Sequence, residues 1–160
     1  MGVGKSTIGR RLAKKLNKEF IDSDQVIETK TGVDIPTIFE YEGEVGFRER
    51  EEKSIAELCK LPNIVLATGG GAVLSKNTRQ LLSKTGTVFY LQASVETLIK
   101  RTQNDVARPL LQSDDKRKTI AELVKQREPL YEEIAEHIVC TDRHTINWAV
   151  NQIVTRLESA

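Results

Sequence analysis

The chain contains 160 residues, with 24 Lys and Arg against 23 Asp and Glu, which gives a formal net charge of +1. A chain so close to neutrality has no overall field that attracts nucleic acid or anionic lipid, so neither is expected as a partner. Its apolar runs are far shorter than the roughly 20 residues of a membrane-spanning helix, and we expect no membrane association.

Helical and strand patterns alternate along the chain. Apolar residues at helical spacing begin at Ile8 and recur at Leu12 and Leu16. Short apolar runs that end in polar or turn residues predict buried, mostly parallel strands, and these runs are Phe20–Ile21, Ile64–Ala67, Val88–Leu91 and Ile138–Cys140. The alternation predicts a single α/β domain over residues 1–160, a parallel β-sheet sandwiched by helices.

Two stretches interrupt this alternation. Residues 24–60 hold three helical pieces, separated at Thr31-Gly32 and Glu42-Gly43, with no strand between them, which indicates an inserted lobe. Residues 102–117 are polar around Pro109. A polar connection longer than about 12 residues is often an active-site lid.

The chain opens with glycines immediately before the first helical stripe. Gly4-Lys5-Ser6 matches the end of the pattern G-x-x-x-x-G-K-[ST], in which backbone N–H groups at a helix start surround phosphate oxygens. In that pattern Lys5 reaches the β- and γ-phosphates, and the hydroxyl of Ser6 lies on Mg²⁺. The alternative is a glycine-rich tail before an amphipathic helix.

Acidic residues and glycines follow the first two strands. Asp22 and Asp24 are two apart, so on a strand they would share a face at its carboxyl end, where ligands bind in open α/β sheets. One carboxylate could hold Mg²⁺ through water and the other could accept a proton, although Asp24 could instead cap a helix. Gly69–Gly71 would expose backbone N–H groups to a ligand, or form only a flexible turn.

Together these features resemble the shikimate kinases over essentially the whole chain. The resemblance rests on six motifs in this order, namely Gly4-Lys5-Ser6-Thr7-Ile8-Gly9-Arg10, Asp22-Ser23-Asp24, Gly46-Phe47-Arg48 with Glu51-Glu52, Gly69-Gly70-Gly71, Arg108-Pro109-Leu110-Leu111 and Arg127-x-Pro129-Leu130-Tyr131. The family implies a P-loop fold like that of the nucleoside monophosphate kinases and transfer of the γ-phosphate of ATP to the 3-hydroxyl of shikimate, giving shikimate 3-phosphate for aromatic amino acid biosynthesis.

The resemblance also implies roles for individual residues. Asp24 contacts the shikimate hydroxyls near the acceptor oxygen, while Ser6 and Asp22 hold the Mg²⁺ shell. The shikimate carboxylate is bound by two arginines and two backbone amides, those of Arg48, Arg127, Gly70 and Gly71.

For the nucleotide, the resemblance implies that ATP is bound by the opening loop and by three arginines, with Lys5 and Arg108 also acting in catalysis. These nucleotide-binding residues are Gly2, Val3, Gly4, Lys5, Ser6, Thr7, Arg101, Arg108 and Arg143. Residues 24–60 match the substrate-binding lobe of the family, and residues 103–115 match its lid.

The residues alone leave some of these roles open. Arg48 could be part of a solvent-facing run of ion pairs that extends to Glu52. Arg127 precedes Glu128-Pro129, and because proline disfavours helical geometry in the preceding residue, we expect Arg127 near a helix break facing a cleft.

Other functions remain as alternatives. The chain could be another small P-loop kinase, acting on gluconate or a nucleoside monophosphate, a nucleotide switch of GTPase type, or a relative that binds shikimate or nucleotide without turnover. We expect a monomer in the cytoplasm, where Cys59 and Cys140 would be reduced thiols, since they lie far apart without metal-ligand spacing.

A final expectation concerns the strand before the P-loop. A P-loop joins a buried strand to a helix, and the leading Gly of the pattern would lie two positions before Met1. We therefore expect about ten further residues before Met1 in the natural protein, enough for a strand of ordinary length and that Gly.

Overall fold

The computed structural model describes residues 2–103 and 115–159. Strands and helices alternate within them, as the sequence predicts. The elements are α1 (Lys5–Leu16), β1 (Glu19–Asp22), α2 (Ser23–Thr31), α3 (Ile35–Leu58), β2 (Ile64–Ala67), a 3₁₀ turn (Ala72–Leu74), α4 (Lys76–Thr85), β3 (Phe89–Gln92), α5 (Val95–Arg101), α6 (Lys116–Ile134), β4 (His137–Cys140) and α7 (Ile146–Glu158).

The strands form two parallel pairs. β1 pairs with β2, from Glu19 opposite Ile64 to Asp22 opposite Ala67. β3 pairs with β4, from Phe89 opposite His137 to Gln92 opposite Cys140. Within the described ranges no backbone ladder joins β2 to β3, so the parallel arrangement is confirmed and the sheet is present as two halves.

An apolar cleft of about 530 Å³ separates the two halves. Strands β2 and β3 line this cleft, and helices line it on either side. The lining residues include Leu12, Val65, Leu66, Phe89, Leu91, Leu123 and Ile153. The further strand that the sequence analysis expects stays a prediction.

The helices bury the apolar stripes that the sequence shows. α1 and α7 pack together over β4 in the largest buried cluster, which consists of Ile8, Leu12, Val139, Ala149, Val150, Ile153 and Val154. A second cluster, Ile27, Ile38 and Phe47, lies inside α2 and α3, so these helices have a small core of their own. The substrate-binding lobe expected at residues 24–60 stays a prediction.

The predicted breaks in the lobe are confirmed. α2 ends at Thr31 with Gly32 as its left-handed cap. Gly43 has φ 69° and ψ −177° and interrupts the helical geometry inside α3.

The predicted helix break beside Arg127 is wrong. α6 continues through Pro129 and ends at Ile134. Proline removes one backbone hydrogen bond from a helix interior. Tertiary contacts of α6 with β3 override that local preference, because Tyr131 stacks on Tyr90 and Glu128 accepts a hydrogen bond from Gln92.

Two further features bear on the expectations above. In residues 2–103 and 115–159 no helix is both long and apolar enough to cross a bilayer. Cys59 and Cys140 are both free thiols.

The contact of α1 with β1 depends on Gly9. A Cβ at Gly9 would lie 2.5 Å from Cε2 of Phe20, closer than carbon atoms can approach. Ala normally stabilises a helix by about 1 kcal/mol relative to Gly. We expect Gly9→Ala instead to lower the free energy of unfolding by about 1–3 kcal/mol, as overpacking does.

Denaturant unfolding of Gly9→Ala beside Gly86→Ala tests this expectation. Gly86 has extended backbone geometry, and a Cβ there would meet no atom within 4 Å, so its variant should lose little stability. A more stable Gly9→Ala protein would contradict the proposed packing.

Candidate active site

The opening loop turns sharply into α1. Gly2 has φ 65° and Gly4 has φ 94°, left-handed values that favour glycine. Gly4 is the cap of α1, and Lys5 is its first residue. Within the described chain the ammonium of Lys5 has no hydrogen-bonded or ionic partner. The N-terminus of α1 therefore presents backbone N–H groups and a free cation together, as anion binding requires.

Ser6 and Asp22 are in direct contact. The hydroxyl of Ser6 donates to Oδ2 of the buried Asp22 carboxylate at 2.7 Å. Oxygen donors suit Mg²⁺, which takes one or two protein ligands when nucleotide phosphates supply others. Among the described residues no group of three or more His, Cys, Asp and Glu could hold a metal alone. The Ser6–Asp22 pair therefore fits a metal that arrives with a nucleotide.

The prediction that Asp22 and Asp24 share one strand is wrong. β1 ends at Asp22, and Asp24 lies in the first turn of α2. Asp22, not Asp24, caps this helix, because its Oδ1 accepts from the backbone N–H of Asp24 at 3.1 Å. The cap preference of Asp22 ended the strand two residues earlier than expected.

Asp24 instead meets a buried carboxylate from α3. A Cβ at Gly69 would lie 2.4 Å from Oε1 of Glu51 and 2.8 Å from Oδ1 of Asp24, so only glycine fits between them. Glu51 is 2% exposed. Burial raises the pKa of the Glu51 carboxyl; Arg48 opposes this shift, and the charge of Asp24 adds to it.

Arg48 is held against the glycine turn. Its Nη1 donates to Oε2 of Glu51 at 2.6 Å, and its Nε and Nη2 donate to Oε1 of Glu44 at 3.2 and 3.0 Å. A Cβ at Gly71 would lie within 2.3 Å of the guanidinium. Burial favours the neutral form, but the carboxylates of Glu51 and Glu44 keep the pKa of Arg48 above its ordinary value.

The solvent-facing alternative is therefore wrong for Arg48. Its side chain is 22% exposed and its partner Glu51 is buried. The solvent-facing pair in this part of α3 is Arg50 with Glu42, at 45% and 38% exposure.

Arg127 reaches the same cluster from α6. It is 6% exposed, and its Nε is buried without a hydrogen-bond partner in the described residues. Its charge lowers the pKa of the Glu51 carboxyl and that of the Tyr131 phenol, against the larger effect of burial on each, so it lies near both groups. A buried cation with an unsatisfied N–H is costly unless a ligand completes its hydrogen bonds.

Arg101 connects the opening loop to the loop after β4. Its Nη1 donates to the carbonyl of Val3 at 3.3 Å and to Oγ1 of Thr141 at 3.1 Å, and its Nη2 donates to the carbonyl of Thr141 at 3.0 Å. Arg143 follows in an exposed, left-handed conformation. The nucleotide contacts expected of Arg101, Arg143 and Thr7 stay predictions. Arg108 and most of the expected lid at 103–115 lie outside the described residues.

Sequence reasoning gave no role to two residues that fix the glycine turn. The buried hydroxyl of Ser23 accepts from the N–H of Gly69 at 3.2 Å. The hydroxyl of Tyr131 donates to the carbonyl of Gly70 at 2.5 Å. The spacing in the sequence could have pointed to Tyr131, because it lies one helical turn after Arg127 and so shares a helix face with that proposed ligand-binding residue.

Comparison with known proteins identifies the family. The shikimate kinase family model matches residues 1–158. The chain belongs to the shikimate kinase family. It is 54% identical to "Shikimate kinase 1" of Yersinia pestis over 99% of this chain and 92% of that protein.

Solved structures agree. The shikimate kinase of Acinetobacter baumannii in complex with shikimate superposes with a TM-score of 0.97 at 45% identity, over 99% of this chain and 89% of that one. A deoxyadenosine kinase from M. mycoides matches with a TM-score of 0.66 at 19% identity, over 100% of this chain and 96% of that one. This second match shows a likeness of fold alone. The predicted nucleoside monophosphate kinase-like α/β fold is confirmed.

Glu51 is buried and Glu42 is exposed, and this difference predicts that pH changes their contributions to stability in opposite directions. Because the folded pKa of Glu51 is raised above 4.5, its contribution to stability is present below pH 4.5 and is lost as the pH rises through the folded pKa. The pKa of Glu42 is lowered, chiefly by its hydrogen bond with Arg50, so its contribution is present above 4.5 and is lost on acidification.

We therefore expect opposite trends for two matched variants, followed by denaturant unfolding between pH 3 and 7 so that the scan extends on both sides of 4.5. Relative to the unmodified protein, Glu51→Gln should gain stability as the pH rises, whereas Glu42→Gln should lose it. Parallel trends for the two variants would show that Glu51 does not titrate as a buried carboxyl.

Proposed function

We propose that the protein transfers the γ-phosphate of ATP to the 3-hydroxyl of shikimate, giving shikimate 3-phosphate and ADP, with Mg²⁺ as the metal. The observation that carries the proposal is the convergence of Arg48 and Arg127 on the Gly69–Gly71 turn beside Asp24. The family match supports this reaction over the gluconate, nucleoside monophosphate and GTPase alternatives.

The opening loop would bind the phosphates. Backbone N–H groups at the start of α1 and the ammonium of Lys5 supply positive charge where negative charge accumulates during phosphoryl transfer. Ser6 and Asp22 would hold Mg²⁺, which supplies further charge neutralisation at the β- and γ-phosphates. The Ser6–Asp22 contact supports this assignment.

The arginine cluster would bind the carboxylate of shikimate. A guanidinium is planar and matches a carboxylate with two parallel hydrogen bonds. Arg48 is already oriented by Glu51 and Glu44, and Arg127 has an unsatisfied N–H. Binding at this point would fix the ring so that its hydroxyls lie toward Asp24.

Asp24 would accept the proton of the attacking hydroxyl. It lies in the first turn of α2, two residues after the Asp22 that contacts Ser6. A short segment therefore joins the proposed metal ligand to the proposed proton acceptor. Phosphoryl transfer depends mainly on positioning and charge neutralisation, so this short connection matters as much as the basicity of Asp24.

A coupled assay of ADP release tests the proposal. We expect turnover that requires ATP, Mg²⁺ and shikimate together. Lys5→Met should lower kcat by about 10²-fold or more, because it removes charge stabilisation from the transferred phosphoryl group. Lys14→Met changes an exposed lysine on the last turn of the same helix and should have little effect.

Two outcomes would contradict the proposal. One is ADP release that does not depend on shikimate. The other is near-normal turnover by a folded Lys5→Met protein. The monomeric state and the cytoplasmic location stay predictions.

A further inference from the structure

The three glycines after β2 are fixed from different sides. Gly69 is held at both polar groups, because its N–H donates to Ser23 at 3.2 Å and its carbonyl accepts from Ala72 at 3.2 Å. The carbonyl of Gly71 accepts from the N–H of Leu74 at 2.9 Å. The peptide between Gly70 and Gly71 is restrained differently, by a side chain from α6.

That side chain is Tyr131. Its hydroxyl donates to the carbonyl oxygen of Gly70 at 2.5 Å. Its ring stacks on Tyr90 of β3, with ring centroids 4.7 Å apart and planes at 20°. Stacking on Tyr90 therefore fixes the position of the phenol that bonds to Gly70.

The geometry of a peptide unit gives this contact a consequence for the site. The carbonyl of Gly70 and the N–H of Gly71 belong to one planar trans unit and point in opposite directions. Holding the carbonyl toward α6 turns the N–H of Gly71 away from α6. Neither the N–H of Gly70 nor that of Gly71 donates to another described residue, and the guanidinium of Arg48 lies against Gly71.

Consecutive glycines need such a restraint more than other residues. Glycine has the widest backbone freedom, so an unrestrained Gly70–Gly71 peptide could rotate and present its carbonyl to the ligand. A carbonyl dipole facing a carboxylate would repel it, whereas an N–H attracts it. The orientation of one peptide therefore decides whether the turn favours or opposes an anionic ligand.

We propose that Tyr131 is a positioning residue for anion recognition, whose hydroxyl holds the Gly70–Gly71 peptide with its N–H directed to the carboxylate of the substrate. The proposal rests on the proposed function for the identity of the substrate. Tyr131 touches no reacting atom, so it is not a catalytic residue.

Tyr131→Phe and Tyr90→Phe form a matched pair for the test. Each removes one hydroxyl from the same ring stack, but within the described chain the Tyr90 hydroxyl has no hydrogen-bond partner. In the coupled assay we expect Tyr131→Phe to raise KM for shikimate about three- to tenfold, as expected for the loss of one hydrogen bond. Its KM for ATP and its kcat should stay within about twofold, and Tyr90→Phe should change none of the three.

A second measurement does not depend on activity. In calorimetric titration, Tyr131→Phe should bind shikimate about three- to tenfold more weakly than the unmodified protein does, and Tyr90→Phe should bind it equally well. If the unmodified protein binds shikimate but does not phosphorylate it, the proposed function fails, and the titration still decides the role of Tyr131.

Three results would overturn the proposal. One is an unchanged KM for shikimate in an active Tyr131→Phe protein. Another is an equal rise in KM for both substrates, or a loss of the fold, since either would show a general structural role. The third is unchanged affinity of Tyr131→Phe for shikimate in the calorimetric titration.

Discussion

A buried carboxylate, that of Glu51, connects the parts of the proposed substrate site. It pairs with Arg48 on its own helix, lies against Gly69 after β2, and is acted on by the charges of Asp24 and Arg127. These residues come from α2, α3, α6 and the turn after β2. A buried carboxylate is tolerated only when cations and hydrogen-bond donors compensate for its lost hydration. Compensation of Glu51 therefore orients Arg48 directly, and Arg127 lies near enough for its charge to act on the same carboxyl.

The same elements connect that site to the phosphate loop. Asp22 ends β1, caps α2 and accepts from Ser6 at the start of α1, while Asp24 in the first turn of α2 lies close to Gly69. The spacing between the two proposed substrates is thus set by the start of one helix. Tyr131 completes the arrangement from α6, because it joins the glycine turn to the sheet through Tyr90.

Local patterns in the sequence predicted the helices and strands, whereas the features that they failed to predict depend on long-range packing. Four apolar runs gave the strands within a residue or two at each end, and the glycines at 32 and 43 gave the breaks in the lobe. The position of Asp24 was missed because the cap formed by Asp22 starts α2 immediately after the strand. The break near Pro129 was wrong because contacts with β3 keep α6 helical. Burial of Glu51 inside a charged run has no local signature, and neither has the apolar cleft between β2 and β3.

The central claim is that Arg48, Arg127 and the glycine turn recognise the carboxylate of shikimate. Calorimetric titration of the protein with shikimate and with its methyl ester tests this claim most directly, because the ester keeps the ring and its hydroxyls but replaces the carboxylate with a neutral, methylated group. We predict that the ester binds about 100-fold more weakly or worse, since hydrogen bonds to a charged group contribute about 1.5–3 kcal/mol each. Binding of the ester within about threefold of the acid, a difference smaller than one such hydrogen bond, would contradict the claim.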